Sequence, residues 1–122
     1  MLSLAAVVMT GFVALEHIAF LVLEMFFWDH DIGRTVFSMT AEESAISAPL
    51  AMQQGLYNGF LAAGLIWGLL ASRRDVITFF LICVIAAGVF AGLTVKPSIV
   101  VTQGAPALIA LILTWAGAKR ST

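Results

Sequence analysis

Charge is scarce in this sequence. Six basic and seven acidic residues stand among 122, so charged residues make up 11% of the chain, against about 25% in soluble domains. A solvated surface of ordinary polarity cannot be assembled from so few, which excludes a soluble globular domain and a disordered chain. The net charge of −1 supplies no basic field to hold nucleic acid. There is one cysteine, Cys83, so neither an intrachain disulfide nor a cysteine metal cluster can form. Also missing are a Ser–His–Asp signature, a phosphate loop, a dinucleotide fingerprint and a zinc-protease helix motif. No cofactor and no metal is expected. Asp29-His30-Asp31 reads as a solvated turn, because adjacent residues seldom converge on one ion.

Apolar residues fill the space that charge leaves. They make up 61% of the chain, and the mean hydropathy is +1.05. A bilayer core of roughly 30 Å takes about 20 apolar residues as helix, with every backbone polar group bonded internally. Four windows reach that length: residues 2–28, 50–71, 76–95 and 99–117. All the charged residues fall outside them except Glu16 and Glu24, both in the first. The first window is read as a retained span, not a cleaved signal. It has no basic start, and its apolar run continues to Trp28.

The expected fold is all-α, an integral membrane four-helix bundle forming one domain over residues 1–122. A short extracytoplasmic helix or loop is expected between spans one and two. Thr40-Ala41-Glu42-Glu43 has the spacing of a capping box that starts such a helix, and Pro49 suits the first turn of span two. Arg73 and Arg74, with Lys119 and Arg120, assign the second connection and the C-terminus to the cytoplasmic side. Both termini are then cytoplasmic. Trp28 marks the outer interface, and Trp67 and Trp115 the inner one. Gly55/Gly59, Gly64/Gly68 and Gly88/Gly92 have the spacing that lets helices approach closely in lipid.

The informative residues are polar ones inside these windows. Span one carries Glu16, His17 and Glu24; span two carries Gln53, Gln54, Tyr57 and Asn58; span four carries Gln103. A carboxylate near a bilayer centre costs at least about 2.5–3.5 kcal/mol, so it should face the bundle and have a partner. On a helical wheel His17 and Glu24 lie about 20° apart, Glu16 sits on an adjoining face, and Gln54 and Asn58 share a face. Counted by rise from the outer ends of the spans, these groups overlap in depth. A polar pocket in the outer half of the bundle is the expectation, with no catalytic residue assigned. Hydrogen bonding between helices, worth about 0.6–2 kcal/mol, accounts equally for Gln53, Tyr57 and Gln103. It accounts less well for the glutamates, since a neutral amide would join helices at lower cost.

Ala14-Leu15-Glu16-His17 followed by Leu23-Glu24-Met25-Phe26 resembles the first-span motif of a small bacterial membrane family, domain of unknown function thirteen hundred and four. Residues Gln53 to Gly64 resemble its second-span motif, and Gln103-Gly104-Ala105-Pro106-Ala107 its last-span motif, Gly104 being a departure toward a smaller residue. The resemblance implies a four-span protein of the bacterial inner membrane and brings no established activity. Carried over residue by residue, it points to Glu16, His17, Glu24, Gln54, Asn58 and Gln103.

Three functions remain open on these residues. The first is binding or proton-coupled transport of a small solute, with a homo-oligomer supplying enough helices for a path. The second is a membrane-embedded isomerase or hydrolase, in which Glu16 or Glu24 acts as base and His17 as acid on a lipid-like substrate. The third is an accessory subunit of a larger membrane complex. The partners common to all three are the lipid bilayer and a small solute, proton or lipid-like ligand.

Overall fold

The computed structural model describes the backbone of residues 1–120 and the side chains of residues 1–116. The side chains of Lys119 and Arg120, on which the orientation partly rests, lie outside the described residues. The described residues form five α-helices and no strand. They are α1 (Leu4–Phe26), α2 (Asp31–Phe37), α3 (Ala41–Leu70), α4 (Arg74–Thr94) and α5 (Ala105–Arg120), with one π-helical turn at Val100–Gly104 before α5.

Local chemistry explains most of the helix ends. The Ser3 hydroxyl accepts the Ala6 amide at 3.1 Å and so caps α1. α2 ends at Ser38, which takes a left-handed conformation (φ 54°), and the Met39 amide donates to the Arg34 carbonyl at 2.9 Å. The capping box forms at the start of α3. The Glu43 amide donates to the Thr40 hydroxyl at 3.1 Å, and the Glu43 carboxylate accepts the Thr40 amide at 3.0 Å. Between α3 and α4, Ser72 is left-handed (φ 53°) and the Arg73 amide donates to the Gly68 carbonyl at 2.9 Å. α4 gives way at Val95, two residues before Pro97, which cannot continue it.

Two features differ from the sequence reading. Pro49 does not begin a second span; it lies inside one continuous 30-residue helix that starts at Ala41. The capping box therefore opens α3 itself, and the separate short helix is α2. Proline removes one backbone donor, and α3 continues on both sides of it because eight residues carrying a good cap precede the break. The fourth apolar window, in turn, is not uniform α-helix. Pro106, one residue inside α5, cannot donate to the carbonyl four residues back and its ring crowds it. The wide turn at Val100–Gly104 falls where that carbonyl must be accommodated.

The described residues fall into two compact units, Met1–Leu15 with Leu61–Thr122, and Glu16–Phe60; α1 and α3 each contribute to both. The core of the first unit is Val13 and Ala14 from α1, Leu65 from α3, Ile77, Leu81 and Val84 from α4, and Ala107 and Ala110 from α5. Arg74 ties its far end, donating to the carbonyls of Thr114 and Met1. Gly88 lets α4 approach the π turn: a Cβ there would lie 3.3 Å from Gln103 Cγ and from the Gly104 amide nitrogen. In the second unit α1 and α3 touch through glycine. A Cβ at Gly55 would fall 2.6 Å from Met25 Cγ, and one at Gly59 2.6 Å from Leu21 Cδ1.

Candidate functional site

The second unit brings two of the singled-out polar residues into direct contact. Glu24, on the last turns of α1, is 7% exposed, and the Asn58 side-chain amide of α3 donates to its Oε1. Close approach of α1 to α3 at Gly55 is what makes this reach possible, since Gly55 also lies against Glu24 Cβ. No ion pair among the described residues involves Glu24. Its hydrogen-bond partner is a neutral amide.

A cleft of about 110 Å³ adjoins this carboxylate. Glu24, Met25, Phe26 and Trp28 line one side, and Ala48 and Met52 of α3 the other. Asp29 and His30 complete the lining, from the turn that links α1 to α2. That turn is fastened by a polar network. Arg34 donates through Nη2 to Asp29 Oδ1 at 2.9 Å and through Nε to the Ser44 hydroxyl at 2.9 Å. The Ser44 hydroxyl donates to the same Asp29 oxygen at 2.7 Å. The Ser44 hydroxyl, and next the Arg34 guanidinium, hold the Asp29 carboxyl below the ordinary carboxylate range. The Trp28 indole donates to Ser47 Oγ at 2.9 Å and its ring lies 4.7 Å from that of Phe37. Gly33 is buried where a Cβ would fall 2.7 Å from Trp28 Cα. One rim of the cleft is thus built rigidly from neighbouring residues.

The other predicted site residues are distributed as follows. His17 is fully buried in the second unit, its ring edge-on to Phe20 at 5.3 Å. Glu16 is half-buried, and its Oε1 is enclosed with no hydrogen-bond partner among the described residues. Gln53, Gln54 and Tyr57 are exposed on α3, Tyr57 with its ring edge-on to Phe60. Gln103 belongs to the other unit, where it is buried in the π turn and its amide donates to the Val84 carbonyl at 3.0 Å. Sequence reasoning passed over Trp28, Asp29, His30, Ala48 and Met52 as site residues. Asp29 was legible only as part of a charged turn, because the hydroxyl that fixes it lies 15 residues away.

Fold and site together define a class: small all-α proteins with apolar helices long enough to cross a membrane and a buried carboxylate on one of them. Among the described residues two helices meet that length and apolarity, Leu4–Phe26 and Arg74–Thr94. The chain belongs to the family described as Protein of unknown function (DUF1304), whose model matches residues 11–115. It is similar to Uncharacterized protein YpaA of Lactococcus lactis subsp. lactis (strain IL1403), 31% identical over 115 residues that cover 91% of this chain and 97% of the relative. No solved structure matches the chain.

Proposed function

We propose that this protein spans the bacterial inner membrane four times, with both termini cytoplasmic, and that it binds a small solute at Glu24 and moves it across the bilayer. The observation that carries the reading is the buried Glu24–Asn58 pair beside a cleft. A carboxylate on an apolar helix is costly, and such residues mark ion and substrate paths. The membrane setting is supported by large apolar side chains turned outward along the helices, among them Leu4, Leu70, Phe90 and Leu93. In lipid those faces are solvated; in water their exposure would cost free energy. Arg73, Arg74 and the basic C-terminus support this orientation.

The test is flux in proteoliposomes. Wild-type protein should carry a proton-coupled flux that Glu24→Gln abolishes while helix content is retained. Equal flux in the variant, or none in the wild type, overturns transport through this site. Topology is tested separately in a Cys83→Ser background: Ser38→Cys should react with an impermeant maleimide from outside the cell, and Ser72→Cys only after permeabilisation. The reverse pattern overturns the orientation.

A further inference from the structure

We infer that the solute taken by the Glu24 cleft is a small organic cation, a short-chain alkylammonium. The inference rests on the solute-binding reading above and names its chemical class.

Charge balance comes first. Buried in an apolar environment, a carboxylate needs a counter-charge or a proton. Glu24 has neutral Asn58 as its partner and no part in the ion pairs of the described residues. Asp29, the other carboxylate of the cleft, is already matched by Arg34 and Ser44. Glu24 carries either a proton or a counter-cation, and its ionised form is the negative charge left for a ligand to answer. His30, the remaining titratable lining group, is exposed at the rim.

The lining then separates an organic cation from a divalent metal ion. Calcium takes six to eight oxygen ligands and magnesium near-octahedral oxygen geometry. Among the described residues no group of three or more His, Cys, Asp or Glu side chains is gathered that could hold an ion. Most of the cleft wall is Met25, Phe26, Trp28, Ala48 and Met52. Thioether, aromatic and methyl groups suit the alkyl part of an amine, and the carboxylate suits its ammonium head. Size follows from volume. The cleft is small, about 110 Å³, so a short alkyl chain suits it better than a bulky one.

The experiment is calorimetric titration of the full chain in lipid nanodiscs with propylammonium chloride, 1-propanol, sodium propionate and tetrabutylammonium chloride. Propylammonium should bind saturably. Its affinity should fall at least tenfold in Glu24→Gln, and in Ala48→Leu, which narrows the cleft without touching the carboxylate. Tetrabutylammonium should bind at least tenfold more weakly, and propanol and propionate not at all. If propanol or propionate binds as well as propylammonium and Glu24→Gln abolishes it, the solute site stands and its cation class is overturned. If propylammonium binds equally to wild type and both variants, or none of the four compounds binds the wild type, the cation proposal is overturned. The flux assay then decides the broader reading by itself.

Discussion

Alanine has opposite consequences at Gly33 and Gly11. At Gly33 a Cβ would press on the backbone of Phe27 and Trp28, which cannot swing aside as a side chain can. Gly33→Ala should cost about 1–3 kcal/mol, the range of overpacking, and should loosen the Trp28–Ser47 bond, seen as a red shift of indole emission. At Gly11, inside α1, a Cβ would meet nothing within 4 Å. Gly11→Ala should stabilise by up to about 1 kcal/mol through helix propensity alone, measured by unfolding in mixed micelles. Asn58→Ala removes the amide that bonds Glu24 and should cost about 1 kcal/mol. The polar residues of the apolar windows were legible individually, because each is an exception to its surroundings. Their pairing was less so. Gln54 and Asn58 share a helix face by count, yet Asn58 meets Glu24 while Gln54 is exposed, since one turn of α3 changes which neighbour lies opposite.

The turn and short helix between α1 and α3 are held by groups that titrate in acid. Ser44 and Arg34 lower the Asp29 carboxyl, and the Thr40 amide and hydroxyl lower that of Glu43. Both carboxyls sit lower in the folded chain than in the unfolded one. Their stabilisation is complete above the ordinary carboxylate range and is lost as pH falls through the depressed values. Hydrogen exchange of residues 29–47 should therefore be pH-independent, after correction for intrinsic rates, near neutrality and speed up below about pH 4. Ser44→Ala should shrink this acid-dependent change, because the Asp29 carboxyl would then sit nearer its unfolded value. Ser72 is a further lever: a left-handed non-glycine residue is strained, and Ser72→Gly should stabilise the α3–α4 turn by up to about 1 kcal/mol. The capping box was readable because its two partners lie three residues apart. The Asp29–Arg34–Ser44 network was not, because its partners are brought together only by folding. Pro49 misled for a related reason: proline weakens a helix locally, but flanking turns decide whether the helix stops.

For the whole molecule, apolar run length made the first and third windows plain, and they coincide with α1 and α4 to within two residues. The membrane reading predicts that the protein stays with the membrane pellet after alkaline carbonate extraction; release into the supernatant would contradict it. Apolarity says nothing of where a helix changes its winding, which is why the π turn before α5 was invisible in the sequence. That turn uses more residues per revolution than an α-helix does. In terms of insertions and deletions, it works as a phase spacer. Removing Thr102 would let the turn tighten toward α winding and keep Ala107 and Ala110 facing the core, at the cost of crowding Pro106 against the carbonyl four residues back. A one-residue deletion here should therefore destabilise less than one in the middle of α4, where everything after it turns by about 100°, a difference read from unfolding in mixed micelles.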